Sequence, residues 1–174
     1  MTRPTEIKGR CWVIRTADGK RIDDIDTDMI FHNAHLHITD PNEMAQHAFG
    51  NLPGWEDFPE KCEEGDILVV GRNFGCGSSR QQAVDCFIAL GVQAIIGESF
   101  GAIYKRNAIN SGWPLLVCPG IMDTDIKNGD ELKIDLEKST VENVTKKHTY
   151  PQVEPFSSVQ KDIYEAGSLF ALGG

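Results

Sequence analysis

The segment Gly71-Arg72-Asn73-Phe74-Gly75-Cys76-Gly77-Ser78-Ser79-Arg80 follows the apolar run Ile67-Leu68-Val69-Val70. It precedes Gln81-Gln82-Ala83-Val84-Asp85-Cys86-Phe87-Ile88-Ala89-Leu90. This reads as strand, glycine loop, helix start, an order that aims backbone N–H groups into the loop. Ser78 and Ser79 add hydroxyls there. Arg80 adds a guanidinium able to grip a carboxylate through two parallel hydrogen bonds. The loop is therefore expected to bind an anion.

Working outward, the helix is expected over Ser79–Leu90, with Ala83, Val84, Phe87 and Ile88 on one face and Gly91 as its stop. Gln93–Gly97 reads as a short buried strand and Ser99–Asn110 as a second helix ended by Gly112. Leu115–Cys118 reads as another buried strand. The order β-α-β-α-β between Gly65 and Pro119 implies right-handed parallel crossovers in an α/β core. Upstream, Cys11–Arg15 reads as a strand, Asp23–Asp28 as an acidic loop, and Thr39-Asp40-Pro41 as the start of a helix through about Phe49, capped by Asp40. Gly50–Pro59 reads as loop. Downstream, Gly129–Leu136 alternates polar and apolar residues, as a half-exposed strand does, and Val141–Thr149 is expected to pair back with it. Ser157–Ala166 is the last helix, closed by Gly167. One domain over residues 1–174 is expected, with a parallel core and a β-rich flank.

The chain has 174 residues and a formal net charge of −9, which argues against a nucleic-acid surface. No apolar run reaches membrane-spanning length and Met1–Lys8 has no apolar signal core, so no membrane association and a cytoplasmic location are expected. The cysteines, Cys11, Cys62, Cys76, Cys86 and Cys118, are odd in number and lack close CxxC spacing. That speaks against a disulfide framework or a self-contained metal centre. Cys76 stands apart because it lies in the glycine loop. His32, His35 and His37 have no carboxylate or cysteine completing a ligand set, so no metal site is assigned to them.

Three motifs carry a family resemblance: Asp26-Thr27-Asp28-Met29-Ile30; Asn73-Phe74-Gly75-Cys76-Gly77-Ser78-Ser79-Arg80; and Ser99-Phe100 with Arg106-Asn107-Ala108-Ile109-Asn110-Ser111-Gly112. With them the chain resembles the swivel domain of the aconitase superfamily, nearly end to end. Within it, the chain is similar to the free-standing small subunits of 3-isopropylmalate dehydratases and homoaconitases. The resemblance implies an aconitase-type swivelling β/β/α fold. It also implies a hydro-lyase that isomerises a hydroxy-di- or tricarboxylate by dehydration and rehydration, and is active only with a large subunit carrying a [4Fe–4S] cluster. By position, Ser78 matches the serine base. Ser79 and Arg80 match substrate-binding residues, and Arg80 grips a carboxylate. Asp26, Thr27 and Asp28 either shape an Asx-type turn or belong to the site, and Asp28 is the one expected as a further substrate-site residue.

Departures from the family pattern bear on the substrate. Gln81 stands where relatives usually carry Glu, and Ala102 where they commonly carry Arg. Relatives read Tyr-Leu-x-x before Thr-Asp-Pro, whereas this chain reads His35-Leu36-His37-Ile38. Homoaconitase-like relatives carry at the His37 position an arginine that binds the extra carboxylate. Leu36 and Ile38 suit an isopropyl group, and the titratable His37 is what the loop offers a far carboxylate, so all three are candidate substrate contacts. The expected substrate is 3-isopropylmalate. A homoaconitase or dimethylmalate-type substrate, or a non-catalytic anion-binding module, are the alternatives.

Overall fold

A computed structural model describes residues 3–173. Its strands are β1 (Glu6–Val13), β2 (Ile67–Val70), β3 (Ala94–Gly97), β4 (Leu115–Val117), β5 (Glu131–Asp135), β6 (Thr140–Asn143) and β7 (His148–Tyr150). Its helices are α1 (Thr27–Ile30), α2 (Pro41–Ala45), α3 (Phe58–Lys61), α4 (Gln82–Leu90), α5 (Ala102–Asn110), α6 (Ser158–Ala166) and α7 (Leu169–Gly173). The strands form one seven-stranded sheet in the order β4-β3-β2-β1-β5-β6-β7.

Strand β1 joins two different halves. Its end, Cys11–Val13, pairs parallel with Ile67–Val69, while its start, Glu6–Arg10, pairs antiparallel with Glu131–Asp135. This explains why β1 begins well before Cys11. The partner that fixes its first half lies over a hundred residues away, and the sequence of Glu6–Arg10 alone carries no strand signal. The expected parallel order β2-β3-β4 is present, and both faces of β2 and β3 are buried. The segment expected to pair back with β5 is two strands, β6 and β7, which turn through Lys147 at φ 54°.

The alternation of β2 explains the two-sided burial. Leu68 and Val70 pack with Val84, Phe87, Phe49 and Phe58 on one face. Ile67 and Val69 pack on the other with Leu132, Ile134, Val141 and Tyr150 of the antiparallel half, so the sheet curls back onto its own flank. Helix α2 stops at Ala45, short of the expected Phe49. Beyond it the chain runs in three-residue turns, His47 N–H donating to the Met44 carbonyl and Gly50 N–H to the His47 carbonyl, and Phe49 is left-handed at φ 59° with its side chain in the core. Asp40 caps α2 as expected, accepting from the Asn42 N–H. Part of the expected 50–59 loop is taken by the start of α3, and α7 has no counterpart in the sequence reading.

Candidate active site

Helices α4 and α5 both begin three residues later than their sequences suggest, at Gln82 and Ala102. The segment in front of α5 is spent on cross-links to the glycine loop: Phe74 N–H donates to the Ser99 carbonyl at 3.1 Å, Gly101 N–H to the Phe74 carbonyl at 2.9 Å, and Asn73 N–H to Ser99 Oγ at 2.8 Å. In front of α4, Thr27 Oγ1 holds the Ser78 carbonyl and Arg80 reaches Asp28 and the Phe31 carbonyl. Ser78 is thus not a helix cap. The residue before α4 is Gln81, and it makes no side-chain cap.

The glycine loop is pinned from below by the acidic motif. Gly75 N–H donates to the Ile25 carbonyl at 2.7 Å, Thr27 N–H to the Cys76 carbonyl at 3.0 Å, and Thr27 Oγ1 to the Ser78 carbonyl at 3.0 Å. Gly75 and Gly77 hold φ of 77° and 98°, which glycine adopts without the penalty of a side chain. A Cβ at Gly75 would overlap the ring of the buried Tyr104. Ser78 and Ser79 are exposed. No hydrogen bond among the described residues uses the backbone N–H groups of Gly77, Ser78, Ser79 or Arg80. A run of such groups over alternating backbone handedness is an anion-binding concavity.

Arg80 is the ordered cation of the site, with its side chain only 13% exposed. Its Nη1 donates to Asp28 Oδ1 and to the Phe31 carbonyl, both at 3.0 Å, while Nε and Nη2 have no partner among the described residues. The Arg80 hydrogen bond, followed by the Asn33 N–H, holds the Asp28 carboxyl below its usual range. Asp28 therefore orients Arg80 and stands behind it. Asn107 Nδ2 reaches Ser79 Oγ at 3.4 Å, tying α5 to the loop, whereas the exposed Arg106 makes no side-chain hydrogen bond among the described residues.

The loop at residues 32–38 folds locally. His32 Nδ1 accepts from Ala34 N–H at 2.9 Å, and Gln82 Nε2 links the loop to α4 through the Leu36 carbonyl at 3.1 Å. Leu36 is 36% exposed and His37 is exposed, but Ile38 is 4% exposed and packs in the core. Of the three loop residues expected at the substrate, only Leu36 and His37 face outward. A fourth histidine, His47, stacks on His35 with ring centroids 3.8 Å apart.

Two residues of the site escaped the sequence reading. Glu98 is buried and collects Arg21, the Arg72 Nε at 3.4 Å and the Met122 N–H at 2.9 Å, clamping the acidic loop to the strand ends. Its only sequence signal is a lone carboxylate directly after the buried strand Ala94–Gly97. Asn51 donates from Nδ2 to Asp28 Oδ2 at 3.0 Å, and nothing in its sequence context announces this.

The structure thus brings the glycine loop, its exposed serines and Arg80 together with the acidic motif Asp26–Ile30. The profile of the aconitase C-terminal domain matches residues 19–118. A 3-isopropylmalate dehydratase small subunit 1 of Archaeoglobus fulgidus is 43% identical over 162 residues, 92% of each chain. The chain belongs to the aconitase C-terminal domain family, in its small-subunit branch. A methanogen homoaconitase small subunit of Methanocaldococcus jannaschii is also 43% identical, over 84% of this chain and 83% of that one. A crystal structure of a 3-isopropylmalate dehydratase from the same organism superposes with a TM-score of 0.84 at 39% identity, covering 96% of this chain and 92% of that one. The swivel-domain fold expected from the sequence is the fold of this branch. Among the described residues no helix is long and apolar enough to cross a membrane, and no group of three or more His, Cys, Asp or Glu is arranged to hold a metal ion.

Proposed function

We propose that the chain, as a single swivel domain in the cytoplasm, is the small subunit of an iron–sulfur hydro-lyase that isomerises 3-isopropylmalate in leucine biosynthesis. One observation carries this reading. The unpaired N–H groups of Gly77–Arg80, the Ser78 and Ser79 hydroxyls and the outer edge of Arg80 converge on one exposed loop. Arg80 would bind a substrate carboxylate side-on through Nε and Nη2. Ser78, as its alkoxide, would take the proton from the carbon beside that carboxylate. The C–H electron pair becomes the double bond as hydroxide leaves the neighbouring carbon, and water returns in the opposite sense. The loop N–H groups and Arg80 stabilise both the alkoxide and the charge that develops on the substrate.

A [4Fe–4S] cluster does not fit this chain. Among the described residues no three Cys, His, Asp or Glu side chains are grouped to hold a metal ion, so the chain presents no set of cluster ligands. We assign the cluster to a partner large subunit, where it would supply the Lewis acidity that loosens the substrate hydroxyl.

Relatives named for the two substrates are equally identical to this chain, so identity alone does not choose between them. The exposed Leu36 favours an isopropyl group, and the loop presents no Arg or Lys to a further carboxylate. The test is reconstitution. The purified chain alone is expected to turn over nothing, and activity on 3-isopropylmalate is expected on adding a cluster-loaded large subunit. Iron-free turnover by this chain alone would overturn the assignment. Preference for a tricarboxylate at every pH would move the substrate to that of a homoaconitase.

A further inference from the structure

We infer that Asn51 is a positioning residue that keeps the substrate-facing edge of Arg80 open by restraining Asp28; the inference rests on Arg80 being the carboxylate clamp proposed above. A carboxylate beside a guanidinium tends to close on it with both oxygens. If Asp28 did so, it would use Nη2 as well as Nη1 and compete with the substrate for the guanidinium.

The observed contacts prevent this. Asp28 Oδ1 takes Arg80 Nη1 at 3.0 Å and the Asn33 N–H at 2.9 Å. Oδ2 is held by Asn51 Nδ2 at 3.0 Å, and the same nitrogen reaches the Asp28 backbone carbonyl at 3.3 Å. Both hydrogens of Nη1 are taken, by Asp28 and by the Phe31 carbonyl at 3.0 Å. Nε and Nη2 are left, and these form the side-on fork that a second carboxylate fits.

The backbone around Asn51 supports the same role. Asn51 sits between the buried Phe49 and Leu52, in a turn where Phe49 holds φ 59°, a left-handed conformation uncommon for a bulky side chain. Phe49 N–H donates to the Ile30 carbonyl at 2.8 Å, fixing that turn against the end of α1, the helix that carries Asp28. A strained turn locked to the helix it serves is the pattern expected where backbone strain supports a site.

The experiment is a double-mutant cycle on the enzyme reconstituted with its large subunit, using 3-isopropylmalate. Asn51→Ala is expected to raise KM about tenfold with a much smaller change in kcat, because Asp28 then closes on Arg80 and competes with substrate. In an Asp28→Asn background the same substitution is expected to change KM less than about twofold, since a neutral amide has no such pull. Thermal unfolding of each variant separates these effects from misfolding. Asn51→Ser, which keeps a turn-forming polar residue but falls short of Oδ2, is expected to repeat the KM rise if the alanine variant does not fold. An equal KM penalty in both backgrounds, or none in the native one, overturns the inference. Arg80→Lys reports separately on its foundation. An unchanged KM there would remove the clamp itself, whereas a raised KM with an inert Asn51→Ala would remove only the role of Asn51.

Discussion

The glycine loop and the histidine loop are neighbours, linked where Gln82 of α4 donates to the Leu36 carbonyl, but they are built in opposite ways. The glycine loop is held by residues distant in sequence: Ile25, Thr27, Asp28 and Ser99 all bond to it. The hydrogen bonds of the histidine loop are mostly its own, His32 with Ala34, His35 with His32 and Ile38 with His35. Among the described residues they are joined by Asn33 to Asp28 and by one long-range bond from Gln82, while Ile38 anchors the loop in the core. A loop cross-linked to the rest of the fold can hold reacting groups in fixed geometry. A locally folded loop can change its residues with little cost to that frame, which suits selection among substrates.

Replacing the proton acceptor breaks the first half of this comparison hardest. Ser78→Ala removes the only proposed base and is expected to cut turnover by roughly a hundredfold to ten-thousandfold with KM little changed, measured on the reconstituted enzyme. Because Ser78 is exposed, the melting temperature should not move. Turnover within about tenfold of the native enzyme would show that the base lies elsewhere.

The frame itself is probed next by a pair of glycines. Gly75→Ala drives a Cβ into the Tyr104 ring at φ 77°, and Tyr104 cannot retreat because it is fully buried and donates to the Ala83 carbonyl at 2.8 Å. A loss of about 2–4 kcal/mol is expected in chemical denaturation, the sum of overpacking and left-handed strain. Gly77→Ala meets nothing closer than Thr27 Oγ1 at 3.6 Å and should cost about 1–2 kcal/mol, from backbone strain alone. Equal losses at the two positions would mean that the loop is not seated as described.

These contacts also mark what the sequence could reveal. The parallel core was legible because Ile67–Val70 and Gln93–Gly97 are short apolar runs with a helix-period face between them. The reactive loop was legible because glycines, hydroxyls and an arginine sit together in sequence. Where the loop joins its supports was not. Local pattern continues α5 back to Ser99, where tertiary backbone pairing between Phe74 and Phe100 takes the residues away, and α4 back to Ser79, beside which Thr27 holds the Ser78 carbonyl and Asp28 holds Arg80. Ile38 reads as a loop residue with an apolar side chain, and nothing local says that it points into the core while Leu36 points out. Asn51 was invisible because its role depends on a turn that brings it to Asp28 from 23 residues away.

Substrate choice sharpens the second half of the comparison. His37→Arg sits on an exposed position of the self-held loop and should leave stability unchanged. It should lower kcat/KM for 3-isopropylmalate and raise it for a homologous tricarboxylate, shifting their ratio by about ten- to a hundredfold. A shift in the ratio without loss of fold would support the division between a fixed frame and an adaptable loop. A global loss of activity would show that the loop is part of the frame.

The smallest effect concerns how firmly the histidine loop closes. Burial first, then the neighbouring His47, His32 and His37, hold the His35 imidazole below its ordinary pKa. The stacked His47 leaves little room for a charge on His35, and Phe31 packs edge-on against both rings. Asp28 interacts with His32 and is already occupied by Arg80, and no carboxylate among the described residues offsets the lowering at His35. In the unfolded chain His35 takes up its proton near pH 6.5, and in the folded chain only at lower pH. Above that value both states are neutral and stability is flat. As pH falls below it the unfolded chain binds the proton first, so stability declines until the folded pKa is passed. The melting temperature should therefore fall modestly between pH 7 and about 5, above the range where carboxylates titrate. His35→Gln should flatten that slope, because it removes the titrating ring and keeps a polar side chain in its place. A flat profile in the native chain, or an undiminished slope in the variant, would mean that the stacked pair does not govern the loop.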